Sequence, residues 1–229
     1  MNIHELTLAT ANLAALSHFY TQVLGLPASE ATAGRLALQA GTTRLTFVQA
    51  QPSAQPYYHF AFNIPSQSFA AAETWLRARG PLLADQYGTD VFHSTSWNAS
   101  MVYFLDPAGN ILELIARHSL TTTFEPPFGP EHLLCVSEIG VVTEDVDATA
   151  QTLAGVGLAE YRGPGSDTFN AIGNEQGLCI VVRRGRVWFP ETGRPAVFAP
   201  LDMLVSVVPD GPRYQLIDMP PQVRPAGQN

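Results

Sequence analysis

The feature that most constrains the fold is a repeat, because one order of elements recurs three times along the 229 residues. Each copy has a strand, a helix and then short strands. In the first copy, apolar residues alternate over residues 3–10, which predicts a half-buried strand. Asn12 is the predicted N-cap of a helix that ends at Gly25 and Pro27. Short strands are then expected at residues 28–30, 36–39 and 44–49.

The second and third copies follow the same order. A strand at residues 58–64 precedes a helix that is capped by Ser66 or Ser68 and ended by Gly80 and Pro81. Strands are predicted next at residues 82–86, 91–95, 101–105 and 111–116. The third copy has a strand at residues 138–143, a helix from about 146 to 155, and strands near residues 168–172, 178–183 and 198–208.

These units predict an α+β protein made of repeated βαβββ modules. A unit with one open, half-buried sheet cannot bury its own face, so it needs a partner unit. We expect the first two units to close on each other in a domain of residues 1–118. A proline-rich linker, residues 119–136, then leads to the third module at residues 137–208. A polar tail, residues 209–229, is expected to lie on the surface or to be disordered. The third unit would need a partner chain, which predicts a homodimer.

Composition narrows the classes of partner. Apolar residues make up 46% and charged residues 14%, which indicates a compact globular chain. The net charge of −8 disfavours nucleic acid, so a small molecule is the expected partner. The sequence has no apolar run of the roughly 20 residues that a membrane span needs. Without a secretion-signal pattern at its start, the chain is expected to be cytoplasmic, with Cys135 and Cys179 unpaired.

Three segments resemble a known superfamily. They are HELTLATANL at residues 4–13, YHFAF at residues 58–62 and YFLDPAGNILE at residues 103–113. Together they resemble the vicinal oxygen chelate superfamily, which contains glyoxalases, bleomycin resistance proteins and extradiol dioxygenases. The Asp-Pro-x-Gly-Asn-x-x-Glu run at residues 106–113 is the most specific part. The resemblance covers residues 1–117 well and residues 137–208 more weakly.

The resemblance implies a divalent metal ion on the concave sheet of two paired modules. Its ligands would come from the first strand of each module and the last strand of the second, which gives Glu5, His59 and Glu113. Imidazole and carboxylate ligands suit Fe, Mn, Zn or Ni. The family usually has histidine at the first of these positions. Strand alternation favours Glu5 over the adjacent His4 for the cavity face, although a bulge would exchange the two.

Further positions carry weaker implications. Tyr103 matches a substrate-binding tyrosine of fosfomycin-modifying thiol transferases, and its hydroxyl could donate to a substrate oxygen. His93 is a candidate acid or base of the pocket, with simple surface exposure as the alternative. Residues 93–98 lack the basic side chains that would bind a phosphonate. Glu138 lies eight residues before Val146, as Glu5 lies eight before Leu13, and is interpreted as a structural or exposed glutamate.

Two functions remain open at this stage. The first is a metal-dependent enzyme acting on a small substrate with adjacent oxygens, in which the ion serves as a Lewis acid for a catecholate or enediolate. Motif likeness favours a dioxygenase-like reaction, although isomerase, lyase and transferase chemistry also occur on this fold. The second is a metal-free protein that sequesters a drug or other small molecule in an aromatic, acidic pocket.

Overall fold

The computed structural model describes residues 1–51, 53–190, 192–217 and 222–227. Within these ranges the chain forms two seven-stranded sheets and three short α-helices. The helices are α1 (Leu13–His18), α2 (Phe69–Arg77) and α3 (Val146–Ala154). The strands, in chain order, are β1 (Asn2–Thr10), β2 (Ala28–Ala31), β3 (Arg35–Ala40), β4 (Thr43–Gln49), β5 (His59–Ile64), β6 (Phe92–Ser94), β7 (Ala99–Leu105), β8 (Ile111–Arg117), β9 (Cys135–Thr143), β10 (Phe169–Asn174), β11 (Gly177–Arg183), β12 (Leu201–Ser206), β13 (Arg213–Ile217) and β14 (Gln222–Pro225).

Each of the three predicted units begins with a strand whose buried face packs under a helix. In the first unit, Leu6 and Leu8 of β1 are fully buried, as is Leu16 of α1. A π-helical turn, Phe19–Val23, extends this helix. Helix α3 begins at a capping residue, since the Asp145 carboxylate accepts a hydrogen bond from the Ala148 backbone N–H at 2.9 Å. The predicted cap Asn12 precedes α1 but makes no such side-chain bond.

The α+β class and the repeated modules are confirmed, whereas the predicted pairing of the modules is wrong. The order of the first sheet is β14-β13-β12-β1-β4-β3-β2, and that of the second sheet is β10-β11-β9-β5-β8-β7-β6. The second unit therefore pairs with the third, where Phe60 lies opposite Ile139 in an antiparallel ladder. The first unit pairs with the C-terminal strands, where Leu6 lies opposite Met203. Residues 1–118 do not form a sheet pair by themselves.

The C-terminal segment explains this difference. Strands β13 and β14 lie in the predicted tail and, with β12, form an incomplete fourth unit whose described residues include no helix. Residues 218–221, 228 and 229 of that predicted tail lie outside the described residues. The third unit pairs with the second unit within the chain, so it does not need a partner chain to cover its sheet. A second difference is that residues 82–86 are not a strand, although the Leu83 N–H donates to the Tyr103 carbonyl at 2.7 Å.

Two apolar clusters result from this arrangement. The larger one joins the helix-packed faces of both sheets and includes Phe47 of the first sheet and Phe60 and Phe62 of the second. The smaller one lies on the opposite, concave face of the second sheet and includes Ala61 and Trp188. The concave face of the second sheet is therefore partly filled by side chains, and the candidate site lies there.

Candidate metal centre

Strand alternation selects the side chains that face the concavity of the second sheet. Along β5, Phe60 and Phe62 pack into the large core, so His59 and Ala61 point the other way. Ala61 lies opposite Glu113 on one side and opposite Glu138 on the other. The small side chain of Ala61 thus lies between two carboxylates, which approach each other above it.

A cavity of about 300 Å³ opens over these residues. Its walls combine aromatic and apolar side chains with a few charged groups. The lining residues are His59, Ser94, Trp97, Met101, Tyr103, Glu113, Glu138, Phe169, Ile180, Arg186, Trp188 and Phe189. A mostly apolar cleft with a few converging polar groups is typical of a small-molecule site.

Three side chains at the floor of this cavity form a compact group. His59, Glu113 and Glu138 are all buried, and each offers a ligand atom that lies within 4.8 Å of the others. His59 Nε2 is 3.7 Å from Glu113 Oε2. One nitrogen and two carboxylate oxygens, converging in this way, are a donor set that suits a divalent transition metal.

The imidazole of His59 is held in one orientation. Its Nδ1 lies 3.1 Å from the Ile111 carbonyl oxygen, which can only accept a hydrogen bond, so Nδ1 carries the proton. Nε2 is then left with its lone pair toward the two carboxylates. Burial lowers the pKa of His59 to about 4, against a partly opposing effect of the bond to Ile111. The ring is therefore neutral near pH 7, which is the form that binds metals.

The two carboxyl groups are destabilised as anions. Burial raises the pKa of Glu113 well above its usual value, and the neighbouring charge of Glu138 adds to this effect. The positive charge of Arg117 is the largest effect that opposes this rise. Burial likewise raises the pKa of Glu138, while the ion pair with Arg117 lowers it. A bound cation would offset the free-energy cost of keeping both carboxylates ionised away from water.

Arg117 is a buried cation beneath the site. Its guanidinium forms an ion pair with Glu138 and donates from Nε to Asn63 Oδ1 at 3.2 Å. It also lies 5.5 Å from the centre of the Trp97 ring and 5.6 Å from that of Tyr161. One guanidinium balances one of the two carboxylates, so the group retains a single negative charge when both are ionised. The residues present therefore fit a cation.

The predicted ligands are only partly brought together. His59 and Glu113 converge, whereas Glu5 is exposed on β1 of the first sheet and is not a member of the group. The physical reason is the module pairing, since the second unit closes on the third and not on the first. Glu138, interpreted from sequence as a structural or exposed glutamate, supplies the second carboxylate and completes the group of three. Its eight-residue spacing to Val146 was the signal, because it marks the same position in the third unit as Glu5 in the first.

The two predicted catalytic residues have different surroundings. Tyr103 lines the cavity opposite Glu113, and its hydroxyl donates to Met101 Sδ at 3.9 Å. Its pKa is raised well above the usual value, mainly by burial and then by the charge of Glu113. His93 is exposed and does not line the cavity. Its Nδ1 lies 2.9 Å from Ser100 Oγ, which is also 3.0 Å from His118 Nε2. Tyr103 is therefore positioned to contact a ligand in the cavity, whereas His93 lies outside the cavity lining.

Several lining residues were not anticipated from sequence. Trp188 lies 5.1 Å from His59, measured between ring centres, and it fits because Gly140 has no side chain. A Cβ atom at Gly140 would come within 2.6 Å of the Trp188 ring. Arg186 and Phe169 also belong to the lining. These residues come from the third unit and the connection after it, where the resemblance is weak.

Comparison with known proteins agrees with this architecture. The sequence model of the Glyoxalase/Bleomycin resistance protein/Dioxygenase superfamily matches residues 2–114, and this part of the chain belongs to that superfamily. No curated protein matches the sequence.

Solved structures match over most of the chain. A candidate dioxygenase from Bacillus subtilis has a TM-score of 0.59 at 19% identity, covering 80% of this chain and 63% of its own. A mutant glyoxalase I from Zea mays has a TM-score of 0.51 at 15% identity, covering 80% of this chain and 66% of its own. The chain thus spans less than two thirds of the length of either structure. At these identities the likeness establishes the fold. Among the described residues, no helix is long and apolar enough to span a membrane.

Proposed function

We propose that the protein is a metal-dependent enzyme of the vicinal oxygen chelate type, acting on a small substrate with two adjacent oxygens. The observation that carries this proposal is the convergence of His59, Glu113 and Glu138 at the floor of a cavity of about 300 Å³. Iron, manganese, zinc and nickel are all compatible with this donor set. Among the possible reactions, the likeness of the sequence motifs slightly favours a dioxygenase-like one.

The residues of the chain have separable roles in such a site. His59, Glu113 and Glu138 would hold the ion, which when bound supplies Lewis acidity to two adjacent substrate oxygens. The Ile111 carbonyl fixes the tautomer of His59. Arg117 compensates the charge of Glu138, so that the two carboxylates are tolerated side by side.

Tyr103 and the aromatic side chains of the cavity lining would contact the substrate. The Tyr103 hydroxyl is next to Glu113 and keeps its proton because burial raises its pKa, so it would donate a hydrogen bond to a substrate oxygen and not serve as a base. Trp97, Trp188 and Phe189 line the remaining surface and would exclude water from the bound substrate.

The metal content of the purified protein tests this proposal. Elemental mass spectrometry of wild-type protein, prepared without chelator, is expected to find about one transition-metal ion per chain. His59→Ala and Glu138→Gln are expected to lose most of this metal. Glu5→Gln is the matched control, because it removes a carboxylate that is outside the group, and it should retain the wild-type content.

Either of two results would contradict the proposal. One is a wild-type protein that binds no metal even after incubation with each ion in turn. The other is a loss of metal in Glu5→Gln together with retention in Glu138→Gln. If metal is bound as expected, oxygen uptake with simple catechols would then test the dioxygenase-like reaction directly.

A metal-free binding protein is the second candidate, and one observation favours it. Arg117 already neutralises Glu138, so the group would be electrically balanced without a metal if Glu113 were protonated. In that case the cavity would sequester a ligand between its aromatic walls. The same metal analysis discriminates between the two functions, because only the enzyme needs the ion.

A further inference from the structure

The mouth of the cavity is lined by the connection between β11 and β12. Three of its side chains, Arg186, Trp188 and Phe189, belong to the lining. The connection is held in place by backbone bonds, including the Trp188 N–H to the Arg194 carbonyl at 3.1 Å. The Arg194 guanidinium in turn donates to the Gly109 carbonyl, which ties the connection to the turn before β8. Arg186 is thus presented by a fixed segment.

Arg186 differs from the arginines beside it in sequence. Arg183 pairs with Asp167 at 3.5 Å, and Arg184 pairs with Glu144, both at the exposed surface. Arg186 is half-buried, and among the described residues it forms no ion pair with a carboxylate. Its guanidinium instead lies 5.1 Å from the centre of the Phe169 ring, on the cavity wall. Burial accordingly lowers its pKa.

The cavity lining therefore contains two chemically different groups at different depths, together with aromatic side chains. His59, Glu113 and Glu138 are buried, whereas the Arg186 side chain is half-buried. A guanidinium that forms no ion pair within the described part of the chain is suited to bind a carboxylate of the ligand through paired N–H···O bonds. Because the whole chain carries a charge of −8, an anionic ligand would not be attracted by net charge and would need such a local cation.

We propose that Arg186 binds the carboxylate of a small aromatic acid, whose ring lies between the aromatic walls and whose adjacent oxygens face His59, Glu113 and Glu138. The inference rests on the proposed function and adds the substrate class. A cavity of about 300 Å³ is at the small end of ligand sites, which suits a ligand of one or two rings. Phe169 and Trp188 offer flat surfaces for that ring.

Calorimetric titration with two matched probes tests the proposal. The probes are 3,4-dihydroxybenzoate and its neutral amide, 3,4-dihydroxybenzamide, each titrated into metal-loaded and chelator-treated protein. Wild type is expected to prefer the acid by about tenfold, or about 1.4 kcal/mol. Arg186→Gln should bind both probes equally, and Arg186→Lys should retain an intermediate preference. Arg183→Gln is the control, because it removes an arginine that is outside the cavity.

The outcomes separate this inference from the proposed function. A preference for the acid that Arg186→Gln retains would overturn the role of Arg186, as would equal binding of both probes or no binding of either by the wild type. If the preference for the acid depends on Arg186 but neither probe binds more tightly to metal-loaded than to chelator-treated protein, the inference is supported and the metal centre loses support. The two tryptophans of the cavity, Trp97 and Trp188, allow fluorescence to verify that each variant is folded.

Discussion

The two sheets have the same arrangement of strands, but their concave faces carry different side chains. Each joins two units through an antiparallel contact of their first strands, β1 with β12 and β5 with β9. On the second sheet, the concave face carries buried charges, an apolar cluster and a connection that lines the mouth. On the first sheet, Glu5 and Arg44 are exposed at the corresponding face. Curvature alone therefore does not make a site on this fold.

The difference lies in which side chains adjoin one another across the strands. In the second sheet, Ala61 is flanked by Glu113 and Glu138, so two carboxylates converge over a small residue. In the first sheet, Glu5 is flanked by Arg44 and Leu204, which are a cation and an apolar residue. A metal site needs three or more donors in one place. Only the second sheet satisfies this condition among the described residues.

The largest effect is expected from Arg117→Met, because it leaves Glu138 buried without its cation. Loss of one partner of a buried ion pair costs about 3–5 kcal/mol. Arg44→Met is the matched change at an exposed arginine of the first sheet, and it should alter the free energy of unfolding by less than about 0.5 kcal/mol. Urea unfolding of chelator-treated protein at pH 7 measures both.

A double variant sharpens this prediction. Arg117→Met combined with Glu138→Met removes both charges of the pair, and apolar replacement of a whole buried pair is often neutral. We expect the double variant to regain most of the stability that the single change loses. If it were as unstable as Arg117→Met alone, the packing of the arginine against Trp97 and Tyr161 would contribute more to stability than its ion pair with Glu138.

A smaller loss is expected from Gly140→Val. The new side chain would overlap the Trp188 ring, and overpacking of this kind costs about 1–3 kcal/mol. Thr7→Val is the matched control, since Thr7 stands two residues after Glu5 as Gly140 stands two after Glu138. It should be close to neutral in the same urea experiment. Equal losses of stability in the two variants would show that side chains pack as closely over Thr7 in the first sheet as over Gly140 in the second.

The local elements could be predicted from sequence, and the pairing of the units could not. Alternation and capping signals act over a few residues, so β5 and α3 were found close to their true bounds. Every unit has a first strand with the same alternating pattern, and that pattern does not specify which other strand it meets. Among the described residues, the short strands β13 and β14 have no helix of their own, so their sequence predicts a surface tail and not a fourth unit.

The site was half predictable for the same reason. His59 and Glu113 lie in one unit, so a local motif identifies both. Glu138 comes from another unit, and its role depends on the pairing. Arg117 at the end of β8 has the pattern of an exposed residue, and only the structure shows that it is buried beneath Glu138. Residues that act through long-range packing leave little local signal.

A modest effect is expected from Tyr103→Phe, which removes a buried hydroxyl that donates to Met101 Sδ at 3.9 Å and lies on the residue opposite Glu113. Loss of such a weak hydrogen bond costs at most about 1 kcal/mol in the chelator-treated protein. Tyr214→Phe on β13 of the first sheet is the control, because its hydroxyl has no hydrogen bond within the described part of the chain. Unfolding of both variants in urea measures the difference. Equal stability of the two variants would contradict the contribution assigned to Tyr103.

The smallest effect is expected from Glu5→His, which restores the residue type that the superfamily usually has at this position. The neighbours of Glu5 across the sheet, Arg44 and Leu204, supply no further ligands. The variant should therefore bind no metal beyond the wild-type amount and should change in stability by less than about 0.5 kcal/mol. Elemental mass spectrometry beside Glu5→Gln measures the metal. An additional ion bound by Glu5→His alone would show that the first sheet retains a latent site, and the contrast between the two sheets would then be one of side chains at a single position.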